Sequence, residues 1–266
     1  MRSAILSLIV YAGFALPSLA GAQIRDMRGD TPIKVTVRVS SVRLAGDTVV
    51  ISYIVENRAR PASGEDFWGL FVDTPIPAIS VDTPSTKSWE TATTYRDRPT
   101  ADWTLLSEDL IHPGQSSPAL TYRAIGVTGL VRYWAIPDLW HHMPVADDDS
   151  KGDDDAGFKV FGDSGMTIGV VPIPATATPS ALATRLTRLF NYSCGTNQLI
   201  TNSGICNSLR VKLNAASSSI ADGNATAAHG QIDAFLDELD AQRGKFVSEA
   251  AYALLRPNAA FLLGKL

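Results

Sequence analysis

The sequence predicts an α+β chain of two domains, an antiparallel β-sandwich followed by a small disulfide-stapled helical bundle. Three observations carry this. From Ile33 apolar residues alternate with polar ones, from Thr178 they recur at spacings of three and four, and a proline-rich segment separates the two patterns. The predicted partition is 1–22 signal peptide, 23–32 N-terminal extension, 33–171 sandwich, 172–179 linker and 180–266 bundle.

Met1 and Arg2 precede an apolar run from Ala4 to Leu16, then Pro17 and the small residues Ala20, Gly21 and Ala22. That order is the pattern of a secretory signal peptide, and the run is short for a bilayer span of roughly 20 residues. No later segment is apolar enough to predict a membrane crossing. The chain carries 23 Lys and Arg against 27 Asp and Glu, and removal of Arg2 with the leader makes it more acidic. Nucleic acid and anionic membrane surfaces, which attract clustered positive charge, are therefore not expected partners. An extracellular protein or a polysaccharide is.

In the sandwich, Ile33, Val35, Val37 and Val39 alternate with Lys34, Thr36, Arg38 and Ser40. Gly46-Asp47 then turns the chain into Val49, Ile51, Tyr53 and Val55, a hairpin with one wet face. Further strands are predicted at Phe67 to Val72, Trp103 to Leu106, Ala119 to Ile125, Leu130 to Ile136 and Thr167 to Val171. Seven short strands between turn signals suggest two packed sheets, Ig-like by analogy but with no cysteine pair to join them. The stretch between Asp73 and Asp102 shows no sustained period and reads as a long loop, in which Trp89, Tyr95, Arg96 and Arg98 are the candidate binding residues. Trp68, Trp103 and Trp134 fall inside strands and read as core.

Asp147, Asp148, Asp149, Asp153, Asp154 and Asp155 place six carboxylates within nine residues, next to Trp140, His141 and His142. Clustered oxygen ligands on a flexible loop suit calcium, with Asp147, Asp149, Asp153 and Asp155 the candidate ligands. The helix-loop-helix calcium motif is not met, because Lys151 stands where an oxygen ligand belongs and Phe158 where the closing Glu would be. A solvated acidic loop is the competing reading. No other cofactor is expected.

In the bundle, Thr178 and Pro179 form a cap and first turn for a helix with Leu182, Leu186, Leu189 and Phe190 on one stripe. Ile205, Leu209, Leu213, Ala216 and Ile220 mark a second helix ending at Gly223. Asn224 caps a third, striped by Ala228, Ile232, Phe235, Leu236 and Leu239 and stopped by Gly244. A fourth, from about Ser248, carries Ala251, Leu254, Leu255, Asn258 and Leu262, with Pro257 predicted to interrupt it. Cys194 and Cys206, the only cysteines, read as a disulfide tying the first helix to the rest.

The segment from Cys206 to Leu263, with Gly223-Asn224 before one helix, Gly244-Lys245 before the next and Ala253-Leu254-Leu255 near the close, resembles the FIMAH-type helical module of exported bacterial proteins. The resemblance implies an accessory domain on an extracellular protein, brings no catalytic residues with it, and leaves the β-domain unassigned.

Catalytic motifs are few. Gly162-Asp163-Ser164-Gly165 matches the short sequence around the serine of chymotrypsin-like proteases, without their histidine context and with too little β-structure before it for two barrels. No phosphate loop or dinucleotide fingerprint occurs. The function expected is thus a non-enzymatic binding or structural module, secreted and acting outside the cell, at its surface or in the periplasm. A calcium-dependent adhesion module using 147–155 is the alternative, and a secreted hydrolase comes third.

Overall fold

Alternating apolar residues make the first hairpin of the structure, a computed structural model, which describes residues 33–59, 66–95, 97–106, 110–138, 162–173, 177–195 and 197–266. Strand β1 (Val35–Ala45) turns at Gly46, where φ is +62°, into β2 (Thr48–Asn57). The other strands are β3 (Phe67–Asp73), β4 (Ser80–Asp82), β5 (Trp89–Tyr95), β6 (Arg98–Leu105), β7 (Leu120–Ile125), β8 (Val127–Pro137) and β9 (Asp163–Val171). They form two antiparallel sheets in the orders β1-β2-β7-β4 and β5-β6-β3-β8-β9. The segment read as a loop between Asp73 and Asp102 instead contains β4, β5 and the start of β6. Its strands are short and Thr-rich, and one is interrupted by a bulge between Ala92 and Thr94, so no long alternation marks them.

The sheets are joined by aromatic side chains where an immunoglobulin domain would use a disulfide. Tyr53 and Tyr122 from the four-stranded sheet meet Trp103 from the five-stranded one, with ring centroids 6.2–6.3 Å apart and all three fully buried. Each hydroxyl crosses to β9: Tyr53 Oη donates to the Ile168 carbonyl at 2.7 Å, and the Val170 amide donates to Tyr122 Oη at 2.7 Å. Trp103 Nε1 donates in the reverse direction, to the Asp82 carbonyl on β4. Burial pushes both phenol pKa values up, that of Tyr122 to about 12. Both therefore stay protonated at physiological pH.

Helices α1 (Pro179–Cys194), α2 (Ser203–Ala221), α3 (Ala225–Gln242) and α4 (Glu249–Leu263) start at side-chain caps from Thr178, Asn202, Asn224 and Ser248. Gly223 and Gly244 both take φ of +70°, so the two short signals in the sequence are the turns on either side of α3. Cys194 and Cys206 are disulfide-bonded, linking the end of α1 to the first turn of α2. Pro257 does not interrupt α4, which runs unbroken through it. Pro257 has no amide to offer the Ala253 carbonyl one turn back, and the next carbonyl, that of Leu254, accepts from Asn258 Nδ2 at 2.8 Å and from the Thr128 hydroxyl at 3.2 Å.

That contact joins the helices to the sheets. α4 packs against β1, β8 and β9, and its Asn258 is the centre of a buried polar knot. Asn258 Nδ2 donates to the Thr128 carbonyl and hydroxyl, both at 2.9 Å. Arg185 on α1 donates from Nε to Asn258 Oδ1 and from Nη2 to the same Thr128 carbonyl, each at 3.1 Å. Partial burial lowers the Arg185 pKa from its ordinary value.

Candidate functional site

The two sheets present contrasting outer faces. On the four-stranded sheet the outward side chains of β2, β7 and β4 bond to one another: Ser52 Oγ lies 2.7 Å from Thr121 Oγ1, and Arg123 makes a two-point pair with Asp82 while also reaching Ser80. These polar groups are satisfied within the sheet, where Val50 and Ser52 are buried and Arg123 and Asp82 are partly exposed.

The five-stranded sheet differs. Its register aligns Ala92, Asp102, Phe71, Trp134 and Ser164 in one row across β5, β6, β3, β8 and β9. In the row beside it, Thr100 faces Asp73 across the β6–β3 pair and Arg132 faces Met166 across β8–β9. On β8, Thr128 and Leu130 share this side with Arg132 and Trp134, because strand residues two apart point the same way. Thr128 lies under α4, so the helices take one end of the face and leave the aromatic end beyond them. There Trp134 is half-buried, while Arg132, Ser164 and Met166 are exposed.

Tyr95 joins this face through the bulge. Trp89 and Tyr95, six residues apart, would share one side of a regular strand. The register shift between Ala92 and Thr94 reverses the phase. Trp89 therefore points into the core at 6% exposure, and Tyr95 turns outward to meet Phe71 edge-on at 5.1 Å. The strand then turns at Asp97, with φ of +62°, into exposed Arg98. Of the four residues the sequence groups together, the structure places Tyr95 and Arg98 at one corner of the outer face, removes Trp89 to the interior, and leaves Arg96 outside the described residues. Phe71, Trp134 and Asp102 complete the corner. Trp134, read from its strand position as core, belongs to the outward side, opposite in parity to the buried Ala135.

Asp102 is the unusual group. It is 3% exposed, with Phe71 opposite on one side and Ala92 on the other. Among the described residues neither its Oδ1 nor the Thr100 hydroxyl beside it has a hydrogen-bond partner. Loss of hydration pushes its carboxyl pKa up to about 7, with the neighbouring Thr100 pulling the other way. Asp73 is also raised by burial, against the pull of Arg132 and Arg98. The site thus combines an aromatic cluster, two arginines and two poorly hydrated carboxyls.

The other sequence candidates lie elsewhere. The calcium ligands Asp147, Asp149, Asp153 and Asp155 fall outside the described residues. Among those described, no group of three or more His, Cys, Asp or Glu side chains is arranged to hold a metal. Asp163 and Ser164 sit within β9: the Asp163 carboxylate accepts from the Val35 amide at 2.9 Å, and Ser164 faces Trp134. His112 bonds Asp66, which lies beside Asp138, roughly 13 Å along β8 from the strand position opposite Ser164. No described helix is long and apolar enough to cross a membrane.

No curated protein matches the chain. Among solved structures, an uncharacterised protein from Nocardia farcinica with an immunoglobulin-like fold is similar at 13% identity and a TM-score of 0.32, over 52% of this chain and 98% of that one. Astrotactin-2, a vertebrate-specific, perforin-like membrane protein involved in neuronal development, is similar at 9% identity and a TM-score of 0.19, over 88% of this chain and 36% of that one. At the C-terminal end, residues 196–264 match the FIMAH domain, the module that the Gly-Asn and Gly-Lys signals resemble.

Proposed function

We propose that the protein is a secreted, non-enzymatic binding module, and that the outer face of its five-stranded sheet is the contact surface, with an extracellular protein or a polysaccharide as partner. The observation that carries this reading is the contrast between the two faces. One sheet ties its outward polar groups to each other, and the other gathers Phe71, Tyr95 and Trp134 beside Arg98, Arg132, Asp73 and Asp102. Aromatic and arginine side chains together are the composition favoured at recognition surfaces. Export is supported by the leader-like N-terminus, by the disulfide and by the FIMAH match.

The test is retention of the chain, residues 23–266, on insoluble polysaccharides and cell-wall preparations, with calcium and with a chelator. Retention in both conditions supports a metal-independent module. Retention lost in chelator moves the contact to the 147–155 loop and favours the calcium-dependent alternative. Hydrolysis of the matrix that disappears in Ser164→Ala would overturn the non-enzymatic assignment.

A further inference from the structure

We propose that Asp102 is a pH-sensitive latch on the edge hairpin β5–β6, holding the aromatic corner of the outer face closed in acid and letting it open toward neutral pH. The inference rests on that face being the contact surface.

The geometry is specific to this hairpin. Strand β5 is held by β6 alone in its sheet, and the ladder between them is broken by the bulge after Ala92. Asp102 lies beside this edge, with the small Ala92 as its neighbour on the outer strand and Phe71 on the inner one. A buried carboxylate with an unpartnered oxygen needs water or a donor. Parting β5 from β6, the one strand it pairs with, would admit water beside the carboxylate and move Tyr95 away from Phe71. Among the described residues, the titratable or charged groups sharing the face are Glu90 and Tyr95 on β5, Arg98 on β6, Asp73 on β3 and Arg132 on β8. None is paired with Asp102. Thr100 is the one side chain acting against its desolvation.

The direction follows from the closed-state pKa of about 7 against an ordinary carboxyl value of 3.8. Below that ordinary value both states hold the proton and closure is at full strength. As pH rises toward 7 the open state releases its proton while the closed state keeps it, so closure weakens progressively. Above about 7 both are ionised and the weakening is complete, at most about 1000-fold in the opening equilibrium.

Amide hydrogen exchange of the chain without ligand, from pH 4 to 8 and corrected for intrinsic rates, reads this directly. The expected result is loss of protection across Trp89–Leu105 between pH 4 and 7, relative to β8, β9 and the helices, and little change in Asp102→Asn. Asp102→Ser, with a smaller neutral side chain, is the second variant should the amide disturb packing. A wild-type hairpin whose protection does not change with pH, or neutral variants that keep the wild-type profile, would overturn the latch. Because no ligand is present, that failure is separate from failure of the contact-surface reading, which Trp134→Ala tests.

Discussion

Gly169 shows how little room the inter-sheet bonds leave. A Cβ there would stand 2.5 Å from Val131 Cγ2 and 3.0 Å from the Tyr122 hydroxyl, on the strand that makes both tyrosine bonds. Gly169→Ala is therefore expected to lower stability by about 1–3 kcal/mol through overpacking, measured by urea unfolding. Tyr53→Phe removes one buried donor and leaves the Ile168 carbonyl unpaired, at a cost of about 1–2 kcal/mol. A loss near zero in that variant would mean that the carbonyl finds another donor. The fully buried Trp103 and the outward Trp134 lie on the same sheet and read alike from the sequence. Single positions carry residue type but not the phase of the strand. That phase becomes visible only when buried neighbours such as Ala101 and Ala135 are known.

At the scale of elements, the helices were legible because their signals are local. Caps at Thr178 and Asn224, the helix start near Ser248, stripes at three and four, and the Gly turns all fall where the sequence places them. Strands β4 and β5 were not, since an edge strand with one bulge has neither a full alternation nor a turn signature. Pro257 misled for a different reason: this turn of α4 is tied down by side chains, the Leu254 carbonyl accepting from Asn258 and from Thr128, 126 residues away in sequence. Removing Asn258 should therefore leave buried partners on two other elements unsatisfied. Asn258→Ala is expected to cost about 2–4 kcal/mol in chemical denaturation, well above a solvent-facing helix substitution. The disulfide closes a loop of 12 residues between α1 and α2, and replacing both cysteines by serine should cost about 3 kcal/mol. That loss should appear as a lower Tm in reducing agent and disappear in the double variant.

For the whole molecule, the helices act as a buttress on the sheets as well as a C-terminal module. α4 covers part of β1, β8 and β9, and the knot at Thr128 joins α1 and α4 to the far end of the strand that carries Trp134. Scanning calorimetry is accordingly expected to give one transition for residues 33–266, and a separate low-temperature melt of the helices would show that the knot does not couple them. Among the described residues, the same arrangement leaves the aromatic end of the five-stranded sheet clear of the helices. The most direct measurement is the matrix retention of wild type beside Trp134→Ala and beside Arg43→Ala, a control on the outward side of the opposite sheet. Retention that falls at least tenfold in Trp134→Ala and is unchanged in Arg43→Ala is the predicted result. Equal retention of all three proteins would contradict the assignment and place the contact outside this face.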